Sequence, residues 1–264
     1  MRIEMKKTDN RCMRRFVCLS LFVLLLSTPA AAQEELDKDW LRFALRGSSF
    51  GPLYGASSVL EAAAGTYQSR YGCEKAADQN PATAWVEGAP GAGIGERYWI
   101  GLEHLPEALG LINGYAKNRD LFEKNYRVRS FDIQVFAAVN LSGFAAQWDE
   151  YYDARAVSEV KTIGIADSME PQRVALPFHR SSIMSGMKDF RSSEALRSLE
   201  FPQAKEMGLD GSEDLPRSFL YIIRLEIRTV YPGSRWDDTC IAELWPDYGP
   251  VEEVRLSEDS QRVS

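Results

Sequence analysis

Alternation of apolar and polar residues with a period of two is the commonest pattern along this chain, and from residue 97 onward it predicts strands. Residues 221–230 give the clearest case, with Ile223, Leu225 and Ile227 on one side and Arg224, Glu226 and Arg228 on the other. Residues 130–136 repeat it, placing Phe131, Ile133 and Val135 opposite Asp132 and Gln134. Shorter apolar runs at 97–102 and 109–113 flank His104-Leu105-Pro106, and residues 160–166 and 173–176 are joined by a turn-like segment at 167–171. Residues 241–245 close the series. Short strands separated by Gly, Pro, Asn and Asp predict an all-β antiparallel sandwich or barrel. Trp85 and Trp99 sit in strand-like contexts and are assigned to its core.

Two stretches break the rhythm. Residues 141–158 are aromatic and acidic, carrying Phe144, Trp148, Tyr151 and Tyr152. Residues 178–216 contain a predicted short helix at 188–199, with Phe190, Leu196 and Leu199 on one side. Neither has enough apolar residues for a core of its own, so both read as insertions into one domain. No internal repeat or low-complexity tract is present.

The N-terminus changes the accounting. Six basic and two acidic side chains precede an apolar run at 16–26 and the small-residue segment Ala30-Ala31-Ala32, which reads as a cleavable signal peptide over residues 1–32. The apolar run is short for a membrane span. No cysteine stands in the cleavage window to carry a lipid, since Cys12 and Cys18 precede it. The expected location is therefore secreted or periplasmic, without membrane insertion after cleavage. Cleavage leaves 232 residues and lowers the formal charge from −7 to −11, an acidic balance that argues against nucleic acid as a partner. Residues 33–55 read as an N-terminal linker or extension, 56–247 as the domain and 248–264 as a flexible tail. Two cysteines remain, Cys73 and Cys240. An even pair in an oxidising compartment is compatible with a disulfide closing a long loop, and equally with two buried thiols.

Three segments carry a resemblance. They are Ala76-Ala77-Asp78-Gln79-Asn80-Pro81-Ala82-Thr83-Ala84-Trp85, then Ile112-Asn113-Gly114-Tyr115-Ala116-Lys117 with Asn125-Tyr126-Arg127, and Trp236-Asp237-Asp238-Thr239-Cys240-Ile241-Ala242-Glu243. In this order they resemble the discoidin-like domain associated with translocation of secreted bacterial NAD glycohydrolases, a member of the galactose-binding-like β-sandwiches. The resemblance runs from about residue 56 to 245 and implies a jelly-roll sandwich interrupted by the two insertions. It also implies a structural calcium ion held by Asp78, Thr83 and Glu243 with loop carbonyls, which suits a hard cation. It brings the first loop beside the last strand, and with them Cys73 and Cys240 as a disulfide. The family's loop has Gly where this chain has Gln79, a departure that costs energy if the backbone needs a positive φ.

For function the resemblance implies a non-catalytic module that binds carbohydrate or another cell-surface ligand. The expected contacts are Tyr115, Lys117, Asn125, Arg127, Trp236 and Asp237, because aromatic faces suit sugar C–H surfaces and Asn, Arg and Asp suit hydroxyls. Asn113 and Gly114 are read as turn residues. Metalloprotease, phosphate-loop and C-x-x-C motifs are missing, and neither His104 nor His179 has metal-ligand spacing. Asp237 and Asp238 are adjacent and so make a poor facing pair for glycoside cleavage. An envelope structural or protein-interaction domain is the alternative reading, and a carboxylate-dependent glycosidase the least favoured.

Overall fold

A computed structural model describes residues 34–37, 39–47, 52–60, 70–141, 149–199, 201 and 216–250. The expected signal peptide and the tail from residue 251 lie outside the described residues. Among the described residues no helix is long and apolar enough to cross a membrane.

Two long strands organise the molecule. β7 (Tyr126–Leu141) and β11 (Arg217–Tyr231) pair antiparallel along their whole length, with Ile133 opposite Leu225 and Val135 opposite Ile223. β5 (Arg97–Leu102) pairs with the other side of β11, and β3 (Leu53–Ala56) with β5. A second layer is built from β12 (Thr239–Asp247), which pairs with β4 (Trp85–Val86) and β6 (Ala108–Asn113), and from β10 (Gln172–Ala175) beside β6. The alternating residues Phe131, Ile133, Val135, Ile223, Leu225 and Ile227 meet Trp85, Leu109, Leu111 and Ile241 between the layers. This is the all-β sandwich that the alternation predicts, and Trp85 and Trp99 are buried as expected. Each indole N–H is satisfied, Trp85 donating to Ser58 O at 3.0 Å and Trp99 to Ala44 O at 2.9 Å.

The far ends of β7 and β11 carry a second core. β8 (Glu150–Ala156) pairs with β7, and β2 (Trp40–Leu45) with β8, while β1 (Glu34–Asp37) edges β2. Arg46 and Tyr54 then exchange backbone hydrogen bonds of 2.7 and 2.6 Å, so β2 meets β3 and six strands close into a ring. Phe43, Leu45, Trp99, Phe136, Tyr152 and Ile222 fill it. Residues 40–46, read from sequence as part of an extension, supply the closing strand. Residues 150–156, read as part of an insertion, supply its neighbour. Short alternations such as Tyr152 and Ala154 among acidic residues concealed that strand, and Asp153 is held by Arg42 at 2.8 Å.

The predicted helix is two helices. α2 (Arg180–Ser192) buries Ile183, Met187 and Phe190, a one-sided i, i+4, i+7 spacing. It stops at Ser193, whose extended backbone (ψ 147°) breaks the helix and whose hydroxyl caps α3 (Glu194–Arg197) by accepting from Leu196 N at 3.1 Å. Phe190 and Leu196 cover Ala137, Val139 and Leu141, the stretch of β7 that extends beyond the second layer. The remaining elements are β9 (Lys161–Gly164), which pairs with β7, and α1 (Arg119–Lys124).

Leu225→Ala should lower unfolding stability by about 2–5 kcal/mol, since it empties the centre of the shared ladder. Arg228→Ala, which loses the pair between an exposed guanidinium and Asp132, a carboxylate that Thr162 also bonds, should cost less than about 1 kcal/mol. Urea midpoints measured side by side check the contrast, and equal losses would refute it.

Candidate functional site

The loop joining the 3-10 helix at Cys73–Ala76 to β4 packs against β12, which places Asp78 and the backbone of Gln79 and Asn80 beside Glu243. Its turns are closed by Asn80 N donating to Asp78 Oδ1 at 3.1 Å and Ala82 N to Asn80 Oδ1 at 3.1 Å. Gln79 between them adopts φ +59°, the one non-glycine residue with positive φ among those described. For an L-residue that region costs roughly 1–2 kcal/mol, which is the cost that a family glycine avoids.

Oxygens are in surplus here. Thr83 Oγ1 lies 2.9 and 3.0 Å from the two Asp78 oxygens, 2.8 Å from Asn80 O and 3.3 Å from Lys75 O. One hydroxyl proton cannot serve four acceptors. Glu243 is 5% exposed, and its Oε1 has no hydrogen-bond partner. Burial and the Asp78 carboxylate push the Glu243 carboxyl up to about 7, against the backbone amides of Asn80 and Gln79 that favour its charged form. Lys75 Nζ, 3.8 Å from Asp78, offers only partial compensation. Thr83 thus bonds Asp78, and Asp78 lies beside Glu243, a set of carboxylate, hydroxyl and carbonyl oxygens of the kind that suits a hard cation. Among the described residues no three His, Cys, Asp or Glu side chains cluster, so carbonyls and the hydroxyl would have to complete the coordination.

The six expected ligand contacts divide. Asn125 is buried and ends α1, donating to Leu121 O at 2.8 Å. Arg127 is buried too, with a bidentate pair to Asp167 (2.6 and 3.0 Å) and bonds to Phe122 O and Asn125 O. These two side chains hold the framework. Tyr115, Lys117, Trp236 and Asp237 stay at the surface on two loops that flank α1. Tyr115 stands edge-on to Tyr71, with centroids 6.4 Å apart. The Trp236 ring is bracketed by Lys124 Nζ at 5.9 Å and the Arg235 guanidinium at 4.8 Å. Trp236 N and Arg235 N both donate to Lys124 O, which fixes the second loop to the end of α1. Asn113, read as a turn residue, is instead the fully buried last residue of β6, bonding Val128 N and O and Gly114 N, and Gly114 takes φ +68° against Phe122 and Arg127.

The disulfide implied by the resemblance is not formed. Cys73 and Cys240 are free and buried, and they face different apolar clusters, one in the sandwich core and one with Ala84 and Val86. Burial pushes the Cys73 thiol up to about 12 and raises that of Cys240, so neither is poised for exchange. Asp237 and Asp238 do not face each other across a pocket; Asp237 is exposed, and the Asp238 carbonyl accepts from Tyr126 N.

Two features lie outside the expected sites. A cavity of about 500 Å³ opens beside the oxygen-rich loop, with Tyr54, Gln79 and Trp245 among its lining residues. Its only signal in sequence is Gln79 at a glycine position. Glu87 is fully buried and accepts from Thr239 N at 3.1 Å and Ala89 N at 2.7 Å, which ties the loop after β4 to the start of β12.

A family model described as the NAD glycohydrolase translocation F5/8 type C domain matches residues 53–246. Among solved structures, the chain is similar to the arabinofuranosyltransferase AftD from Mycobacteria at 13% identity and a TM-score of 0.36, covering 76% of this chain and 11% of that one. A Ruminococcus gnavus fucosidase in complex with fucose matches at 11% identity and a TM-score of 0.36, covering 77% of this chain and 26% of the fucosidase. An F5/8 type C domain from Bacteroides fragilis matches at 15% identity and a TM-score of 0.34, covering 79% of this chain and 95% of that domain. No curated protein matches.

Burial raises the Glu87 carboxyl from its ordinary 4.5 to about 7, over the opposing pull of the two amides. A carboxyl whose folded pKa lies above its unfolded value stabilises the fold fully below the unfolded value and loses that contribution as pH rises through the folded one. Glu87 should therefore withdraw about 3 kcal/mol of stability between about pH 4.5 and 7. Tm measured from pH 5 to 8 should fall in the wild type and fall less in Glu87→Gln. Parallel curves would show that Glu87 does not titrate in this window.

Proposed function

The chain belongs to the NAD glycohydrolase translocation F5/8 type C domain family, and on that premise we propose that it is an exported, non-catalytic module that binds carbohydrate. The reading is carried by one observation. Of the side chains expected to meet a ligand, those that the framework leaves exposed or partly exposed are two aromatic rings and two charged groups on neighbouring loops, Tyr115, Trp236, Lys117 and Asp237. Aromatic faces beside exposed charged groups can take up both the C–H face and the hydroxyls of a sugar. F5/8 type C domains are typically binding modules, which supports the class of function. The signal-peptide reading of residues 1–32 supports export, and it places the module where cell-surface glycans are met. Calcium belongs to the same proposal. Asp78, Thr83, Glu243 and the carbonyls of Lys75 and Asn80 would hold the ion, which would neutralise two carboxylates and fix the loop beside β12.

On a glycan array, the mature protein should retain at least one carbohydrate, and Tyr115→Ala and Trp236→Ala should each weaken retention about tenfold at unchanged Tm. Retention of no glycan together with a specific protein partner in a pulldown would replace this reading with the interaction-domain one. In chelator-treated protein, added calcium at about 100 times its Kd should stabilise the fold by about 3 kcal/mol, and Glu243→Gln should abolish most of that gain. A calcium-insensitive Tm would remove the cation from the account.

A further inference from the structure

The cavity of about 500 Å³ lies between β3 and strands β6 and β12, bordered at one end by the oxygen-rich loop. Its size falls in the range of small-molecule sites, about 300–1,000 Å³.

Three side chains on its wall are unexplained by the fold. Gln79 keeps a side chain at φ +59°, where glycine would relieve the backbone. Its amide group makes no hydrogen bond among the described residues, and it lines the cavity. Strain retained by a side chain with no structural partner points to a role outside the fold. Tyr54 is half-buried against Tyr98, with centroids 6.2 Å apart, and its hydroxyl has no partner among the described residues. Burial and the Glu243 carboxylate push that phenol up to about 12, so it stays a neutral donor and acceptor. Trp245 is 37% exposed, and its ring lies flat across Gly110, where even a methyl group would come within 1.9 Å of it. That contact holds the indole as a fixed apolar platform.

Charge narrows the ligand. No basic residue lines the cavity, while Glu243 lies in its wall and Asp78 beside it. A carboxylate or phosphate ligand would find no basic side chain on this wall to pair with. An uncharged ring with an apolar C–H face and vicinal hydroxyls matches the platform, the amide and the phenol.

We infer that this groove is a second sugar subsite, taking an uncharged hexopyranoside with Trp245 beneath its C–H face and Gln79 bonded to its hydroxyls. The inference rests on the carbohydrate-binding reading but places this contact away from the Tyr115 and Trp236 loops.

The test uses the mature protein with methyl glycosides of galactose, glucose, mannose and N-acetylglucosamine, and with glucuronic and N-acetylneuraminic acid glycosides. Binding is read by saturation-transfer NMR and calorimetry, and fold by Tm. Gln79→Gly should raise Tm by about 2–4 °C by releasing the left-handed strain, yet weaken binding of a neutral glycoside at least about tenfold. Trp245→Ala should weaken it as well, whereas Tyr115→Ala should leave this component in place. Neutral glycoside binding that survives both groove variants but is lost in Tyr115→Ala or Trp236→Ala would overturn the groove assignment alone. Absence of binding to every glycoside by folded wild-type protein would overturn both readings. Equal affinity for the acidic glycosides would overturn the uncharged class, and displacement only by a proline-rich peptide would assign the groove to a protein partner.

Discussion

The ladder between β7 and β11 is the constraint from which the rest of the molecule follows, because one pair of strands serves two cores. Along its first half, Phe131, Ile133 and Val135 with Ile223, Leu225 and Ile227 face the second layer. Along its far half, Phe136 and Ala138 with Leu220 and Ile222 face into the closed ring, while Ala137, Val139 and Leu141 lie under α2 and α3. A slip of one residue would turn every one of these side chains to the wrong face. The register is therefore fixed by burial on both sides, and the loops that leave the ladder inherit fixed starting points. The start of β7 also pairs in parallel with the start of β12 at Tyr126 and Arg127, which is how the ladder positions the Trp236 loop.

Chemistry collects where this framework ends. At one edge a carboxylate is held out of water beside a second carboxylate, with a hydroxyl and carbonyls around them and little cationic compensation. Such an arrangement is expensive without a proton or a cation, and the calcium proposal answers that expense. The same edge holds Gln79 in a strained conformation and opens into the groove. At the α1 end the framework instead uses Asn125 and Arg127 to tie backbone together, which leaves the neighbouring rings of Tyr115 and Trp236 for contact. The two surfaces differ in character: cations bracket the aromatic ring of Trp236, whereas carboxylates border the groove.

Much of the sandwich was legible because each of its strands buries one face and so alternates. Phe131 to Val135 and Ile223 to Ile227 lie as that rule requires, whereas Asp78, Thr83 and Glu243 could be named through the resemblance alone. The closed ring was not legible. β2 joins the sheet by pairing with β8, whose residues lie 111 positions away at Arg42 and Asp153, and that ion pair looks like any surface charge until the strands are paired. The helix break at Ser193 was hidden because Phe190, Leu196 and Leu199 keep one apolar face across it. Cys73 and Cys240 were placed in neighbouring segments, but local side-chain direction sends them into separate clusters. Glu87 looks like a surface acid in sequence, and only its pairing with Thr239 buries it. Asn125 and Arg127 show the converse error, since polar residues on a binding-type loop can be fully occupied by the backbone that forms it.

Hydrogen–deuterium exchange of the mature protein, with and without a retained carbohydrate at saturating concentration, tests the central claim most directly. Binding through the surfaces described here should slow exchange at residues 114–118 and 232–238, and at 77–83 with the β12 edge, leaving the face of α2 unchanged. Unchanged exchange throughout, or slowing confined to α2 and α3, would contradict it.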